Sequence, residues 1–186
     1  MEKNIKKQIR AEVKARRKEA QLQDITEKSF RICHSFCSLS EYREAEFVFA
    51  YIDCKNEVQT AEIIKRCRID GKRVAVPKVF GKIMKFYEIF SDDDLEEGYF
   101  GIREPKYLQL EETVVENGLM ILPGIAFDLQ KHRVGYGGGF YDKYLSEHSG
   151  MKKVALAFEF QIYEEVPFET FDILPDKIIT ETRIII

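Results

Sequence analysis

Leu119-Met120-Ile121-Leu122-Pro123-Gly124, followed a little further on by Arg133-Val134-Gly135-Tyr136-Gly137-Gly138-Gly139-Phe140-Tyr141-Asp142-Lys143-Tyr144, is the stretch on which the fold turns. The first run is short and apolar, which suits a buried strand, and Pro123-Gly124 signals a turn. The second run holds four of the chain's eleven glycines and leads into a segment with helical spacing. Glycine clustered between a strand and a helix lets the backbone bend tightly or approach a ligand closely. Successive backbone N–H groups beside a helix N-terminus form a ready anion site. Arg133 adds a fixed positive charge, and Asp142 a carboxylate that suits a cation. Together they point to a phosphate-plus-metal site. The loop is not a Walker A motif, because no Gly-Lys-Ser/Thr follows the glycines. Nor is it the dinucleotide fingerprint: Gly135 and Gly137 give G-x-G, but the third glycine would fall at Phe140.

The remaining organisation follows from period and punctuation. Residues 3–20 lack Gly and Pro and place Ile5, Ile9 and Val13 on one helical stripe. The other faces carry Lys3, Lys6, Lys7, Arg10, Lys14, Arg16, Arg17 and Lys18, which reads as a basic helix surface. A second helix is predicted from about Ile25 to Leu39, with Thr26 near its start and Ile32, Phe36 and Leu39 facing inward. Phe47–Ile52 is predicted as a buried strand, and Thr60 to about Ile69 as a helix ended by Gly71. Val74–Val79 is a strand in which Pro77 favours an edge or a strand end. Lys85–Phe90 suits a half-exposed strand. Ser91–Glu97 reads as a solvated acidic loop, and Tyr99–Pro105 as a loop with unusual aromatic content. Leu119–Leu122 feeds the glycine loop, and Phe140–Glu147 opens a helix. Val154–Phe160 is a buried strand, and Lys177–Ile186 closes the chain as another. Strands alternating with helices argue an α/β domain with a mostly parallel sheet, whose ligands sit at the carboxyl ends of strands.

At 186 residues the chain is long enough for one domain with a sizeable core, taken as 1–186. Apolar residues make up 45% and charged residues 33% of it, as in an ordinary soluble protein. A net charge of −3 argues against nucleic-acid or membrane binding by the surface as a whole. No apolar run approaches the roughly 18–20 residues of a membrane span. The charged N-terminus lacks the apolar core of a secretory signal, so a cytoplasmic location is expected. Cys33, Cys37, Cys54 and Cys67 form no C-x-x-C pair and are expected as free thiols.

The stretch Leu122-Pro123-Gly124-Ile125-Ala126-Phe127-Asp128, then after four residues Arg133 through Asp142, resembles the signature of the 5-formyltetrahydrofolate cyclo-ligase (5,10-methenyltetrahydrofolate synthetase) family almost throughout. Shorter matches are spread along the chain. Lys6 and Arg10 resemble the family's N-terminal basic motif, Asn56-Glu57-Val58-Gln59-Thr60 its motif after the first strand, Gly101-Ile102-Arg103-Glu104-Pro105 its central loop, and Asp176 after Pro175 its C-terminal acidic position. The long central motif is specific; the short ones are weak alone. Two positions depart from the family: Phe140 stands where Tyr is frequent, and Gly138 where some members carry Lys.

The resemblance implies a three-layer α/β/α Rossmann-like domain and an ATP- and Mg²⁺-dependent ring closure of 5-formyltetrahydrofolate, with or without a polyglutamate tail. It implies catalytic roles for Arg133 and Tyr141. ATP contacts are expected from Lys6, Lys7, Gln8, Ile9 and Arg10, and from Arg133 through Tyr141, including Val134, Gly135, Tyr136, Gly137, Gly138, Gly139 and Phe140. Folate contacts are expected from Ile52, Glu57 and Phe100, and from residues 136–140. Metal contacts are expected from Asp142 and Asp176. Read without the resemblance, Lys6 and Arg10 suit a solvated helix face, Asp142 a helix cap, Ile52 core packing, and His132 a loop. A monomer or weak homodimer is expected. Two other classes remain open at this point: a sugar-phosphate isomerase or acyl-transfer enzyme on a similar sheet, and a nucleic-acid or regulatory module using the basic first helix.

Overall fold

The computed structural model describes residues 2–98 and 101–186. Seven strands form one sheet in the order β11(Ile184–Ile185)-β10(Lys177–Ile179)-β9(Lys152–Leu156)-β6(Leu119–Leu122)-β1(Phe47–Phe49)-β2(Arg73–Phe80)-β3(Ile83–Glu88). The five inner strands run parallel, and an antiparallel strand closes each edge.

Period-two alternation gives the inner strands two buried faces. Val48, Leu119, Ile121, Val154 and Leu156 pack on α2 (Leu22–Ser38) and α4 (Ala61–Ile69) through Ile32, Phe36, Ile63 and Cys67. Phe47, Phe49, Met120, Leu122 and Ala155 pack on α5 (Phe140–Glu147) through Tyr144 and Leu145. These near-continuous apolar runs are what a parallel sheet covered on both sides requires. The expected three-layer α/β/α arrangement is thus present. The first helix, α1 (Glu2–Glu19), packs Ile9 and Val13 on a short hairpin of β7 (Ala126–Phe127) and β8 (Arg133–Val134). The chain also forms a two-stranded ribbon of β4 (Leu95–Glu97) and β5 (Arg103–Pro105) and a short helix α3 (Ser40–Glu44).

Several boundaries differ from expectation for identifiable reasons. Ile5 is exposed, so the inward stripe of α1 starts at Ile9. α2 begins at Leu22, before Thr26, with Gln21 as its cap. Leu39 lies past its end, though buried. β1 stops at Phe49, short of the expected Ile52. Thr60 precedes α4 without capping it: its hydroxyl donates to the Tyr51 carbonyl at 2.7 Å. Pro77 is not on an edge strand. The β1 ladder reaches only Ala75, so Pro77 lies beyond it and pairs on the other side with Phe86. Part of the acidic run and of the segment after it forms the β4–β5 ribbon instead of loop. β9 starts at Lys152 and ends at Leu156, short of the expected Phe160. The terminal strand is two strands, β10 and an antiparallel β11, because residues 180–183 turn on the Thr180 hydroxyl.

The chain order fixes where a site can form. From β1 the chain moves to β2 on one side, and later to β6 on the other. The sheet therefore has its topological switch point between β1 and β6, where ligands collect beyond the carboxyl ends.

Candidate functional site

Two segments leave those carboxyl ends. From β6 come Pro123-Gly124, the β7–β8 hairpin and the loop Gly135–Gly139. The glycine loop is thus reached through a hairpin and not straight from the strand. From β1 comes a turn in which Lys55 and Asn56 both take positive φ, 50° and 57°, and which delivers Glu57. α1 lies across both.

The hairpin is organised by Asp128, which is fully buried. Its carboxylate accepts from the backbone N–H groups of Gln130, His132 and Val166 and contacts His132 Nδ1 at 2.9 Å. The His132 ring stacks on Phe168, so its role is local, as expected for a loop residue. Arg133 then enters the interior. Its Nη1 donates to the Pro123 carbonyl at 3.2 Å and its Nη2 to Asp142 Oδ1 at 2.7 Å.

Gly137 takes φ +105° and Gly139 φ +64°, conformations that side chains resist. Gly139 caps α5, and no side chain among the described residues caps the helix in its place. The first-turn amides and the positive end of the helix dipole are therefore left for a ligand. A Cβ at Gly138 would come within 2.5 Å of the Phe140 ring, which folds over it.

A cavity of about 880 Å³ opens in front of this loop. Lys6, Lys7 and Arg10 form one wall, and residues 135–139 with Phe140, Tyr141 and Asp142 the other. Arg10 Nε donates to the Gly135 carbonyl at 2.8 Å and so joins the two walls. Lys6 lies 3.9 Å from Glu169 and 3.7 Å from Asp172, two acidic wall residues that no motif in the sequence singles out. The ring of Tyr141 reaches Phe86 in the core. Burial, and next the charge of Glu57, push its hydroxyl above the ordinary phenol range, so it is a hydrogen-bond donor at neutral pH.

Not every expected residue meets there. Gln8 is exposed and does not line the cavity. Ile9 of α1 and Val134 of the hairpin are buried in one apolar cluster, away from the helix face that carries Lys6 and Arg10. Ile52 lines a separate cavity of about 410 Å³ between α4 and the β4–β5 ribbon, while also packing on the core. Phe100 lies outside the described residues. Asp176, unlike Asp142, does not line the cavity. Its Oδ2 accepts from the Lys153 N–H at 2.7 Å and its Oδ1 lies 3.2 Å from Lys153 Nζ. Among the described residues no three His, Cys, Asp or Glu side chains are grouped to hold a metal unaided.

Asp142 does fit a magnesium ion that also takes phosphate oxygens, since such ions use one or two carboxylates. Both its hydrogen bonds, from Arg133 and from the Ile173 N–H, fall on Oδ1; Oδ2 has no partner among the described residues.

Arg17 is the residue that motif reading misses. It is 4% exposed, although it reads as part of a basic surface. Its Nη1 donates to the Tyr136 hydroxyl at 2.6 Å and lies 3.6 Å from Glu57 Oε1; its Nη2 donates to the Gly124 carbonyl at 2.9 Å. The Tyr136 hydroxyl in turn donates to Glu57 Oε1. A signal existed: Ile9, Val13 and Arg17 are successive members of one i, i+4 stripe, so the inward face of α1 runs on into this arginine.

The thiols are free, with Cys33 and Cys67 buried and Cys37 and Cys54 partly so. Among the described residues no helix is long and apolar enough to cross a membrane.

Known proteins resemble this chain along most of its length. The model of the 5-formyltetrahydrofolate cyclo-ligase family matches residues 2–181. A Schizosaccharomyces pombe protein named as a probable 5-formyltetrahydrofolate cyclo-ligase is 32% identical over 180 residues, covering 87% of each chain. The Haemophilus influenzae 5-formyltetrahydrofolate cyclo-ligase is 33% identical over 144 residues, covering 73% of this chain and 76% of its own. The solution structure of Aquifex aeolicus 5,10-methenyltetrahydrofolate synthetase superimposes with a TM-score of 0.84 at 30% identity, covering 97% of this chain and 91% of its own. The chain belongs to the 5-formyltetrahydrofolate cyclo-ligase family.

Proposed function

We propose that this protein closes the ring of 5-formyltetrahydrofolate to 5,10-methenyltetrahydrofolate, using ATP and Mg²⁺ and releasing ADP and phosphate. The observation that carries the reading is the cavity reached from the carboxyl end of β6. It gathers cations from the start of the chain, a glycine loop from its last third, and one carboxylate with an open oxygen.

The chemistry accounts for these parts. An N-formyl group is an amide and a poor electrophile. Its oxygen attacks the terminal phosphorus of ATP, and the bond to the ADP oxygen breaks. N10 of the folate then attacks the activated carbon, phosphate departs with the former formyl oxygen, and N10 loses its proton. Such a transfer needs alignment and charge stabilisation more than a nucleophilic side chain.

Lys6, Lys7, Arg10 and the amides of Gly135 to Gly139 hold the phosphates, with the uncapped start of α5 behind them. Asp142 holds the magnesium ion, which neutralises phosphate charge when bound. Arg133 orients Asp142 and faces the same cavity. Tyr141 offers a protonated hydroxyl to the transferring group. Glu57 accepts hydrogen bonds from the pterin, and Tyr136 and Phe140 flank its rings. Ile52 and Phe100 belong to the further reach of the folate. Asp176 has no part in the metal site of this scheme. The chain acts as one domain over 1–186, as a monomer or weak homodimer, in the cytoplasm.

The test is a spectrophotometric assay with 5-formyltetrahydrofolate and Mg-ATP, following the near-ultraviolet band of the methenyl product. The band should require ATP and Mg²⁺, and ADP should appear in equal amount. A folded protein that binds ATP but forms no product would refute the assignment of substrate.

A further inference from the structure

We propose that Arg17 is a positioning residue that ties the glycine loop to Glu57, so that nucleotide at the loop strengthens folate binding at the carboxylate. The proposal rests on the reading of the loop as the nucleotide site and of Glu57 as the pterin acceptor.

Arg17 joins three segments that are far apart in sequence. It donates to Tyr136 of the glycine loop and to Gly124 of the turn after β6, and it faces Glu57 of the turn after β1. A planar guanidinium with donors in a fixed fork can hold such an arrangement; an ammonium group cannot. The turn also holds the helix in return, since Asn56 Nδ2 donates to the Arg17 carbonyl at 2.7 Å. Glu57 Oε2 is kept in place by the Cys54 N–H at 3.0 Å, so Oε1 is the oxygen that Tyr136 engages.

The same helix grips the neighbouring residue of the loop. Arg10 Nε bonds the Gly135 carbonyl and Arg17 Nη1 bonds the Tyr136 hydroxyl, two turns apart on α1. The cationic end of α1 faces the cavity, while its far end contacts Glu57 through Tyr136. A change of loop position on phosphate binding is therefore carried to Oε1 of Glu57 along a rigid element. Burial and the Glu57 charge hold the Tyr136 phenol above its ordinary range, which keeps it a donor throughout the neutral range.

Stability alone does not explain this choice of residues. Arg17 and Glu57 side chains are 5% and 6% exposed, and a buried pair is often no more stabilising than apolar residues of the same volume. The Arg17 Nε is moreover sealed from solvent without a hydrogen-bond partner among the described residues, a cost that an apolar residue would avoid.

The experiment measures folate affinity with and without a non-hydrolysable ATP analogue in wild type, Arg17→Met and Tyr136→Phe. Wild type should bind folate roughly tenfold tighter with the analogue present. Arg17→Met, which keeps the volume, should lose most of that factor. Its binding of folate alone should weaken roughly ten- to a hundredfold, and analogue binding alone should change by less than about twofold. Tyr136→Phe keeps the arginine and removes only the bridging hydroxyl, so it should lose the coupling with little change in melting temperature. Combining both substitutions should cost less than the sum of the two. Wild-type coupling in both variants overturns the proposal. So does an Arg17→Met protein that loses both affinities together with its melting temperature while Tyr136→Phe behaves as wild type. A wild-type protein that binds the analogue but no folate would instead refute the functional reading, whatever the variants do.

Discussion

The two ends of α1 use the same chemistry in opposite ways. At its start, Lys6, Lys7 and Arg10 face an open cavity, and their partners are long or are backbone oxygens. At its end, Arg17 is enclosed, with a carbonyl, a hydroxyl and a carboxylate around it. A cation left facing a wet cavity costs little and attracts anions; a cation taken out of water must be matched on the spot. In the proposed scheme the open end receives the phosphates, and the closed end holds the protein's own carboxylate in place.

The largest expected effect breaks that contrast at the pair that orders the cavity floor. Arg133→Ala and Asp142→Ala should each cut turnover by roughly two to three orders of magnitude with the fold retained, as measured by initial rates and circular dichroism. Wild-type rates in both would place the reaction elsewhere. Next come the two ends themselves. Arg17→Ala leaves Glu57 buried without its counter-charge and should lower unfolding free energy by about 3–5 kcal/mol in urea titration. Lys7→Ala, at an exposed site, should change it by less than about 0.5 kcal/mol while raising the KM for ATP. Equal stability losses at the two positions would erase the distinction. A third effect is salt dependence: the KM for ATP should climb with ionic strength in wild type and climb less in Arg10→Ala, because the open end works by screened attraction.

A smaller effect comes from pH. Burial pushes the Cys67 thiol up to about 12 from 9.0, with burial also raising Cys54 to about 12 and the Tyr51 phenol well above its usual value. These groups hold their protons in the folded state after the unfolded chain has released them. Stability is therefore complete below about pH 9 and falls as pH rises toward 12. A urea midpoint that holds level across that window would contradict the burial argument. The smallest effect is expected at Asp176→Asn, which should change turnover by less than about twofold, since its carboxylate serves Lys153 and not the cavity.

The legibility of these features in the sequence depended on whether a residue acts locally. The strand Leu119–Leu122 and the helix Phe140–Glu147 lie where their apolar period and glycine punctuation place them, because those signals are contained in a few neighbouring residues. The terminal strand does not, since the turn at Thr180 depends on a hydroxyl contacting residues two and three places on. The glycine loop, Arg133, Lys6 and Arg10 are legible as one cavity because the motifs name them. Arg17 was visible only as the next member of the Ile9–Val13 stripe, and Glu169 and Asp172 had no signal, for their place is set by the fold of the last third of the chain. Asp176 matched by sequence position, yet its carboxylate is engaged by Lys153 and does not line the cavity.

The most direct test of the account follows the formyl oxygen itself. 5-Formyltetrahydrofolate carrying heavy oxygen in the formyl group would be converted with unlabelled Mg-ATP, and the released phosphate weighed by mass spectrometry. If the cavity transfers phosphate onto that oxygen, each phosphate formed with methenyl product carries one heavy atom. Unlabelled phosphate accompanying product would show that ATP is cleaved without touching the formyl group, and the phosphoryl-transfer reading would be wrong.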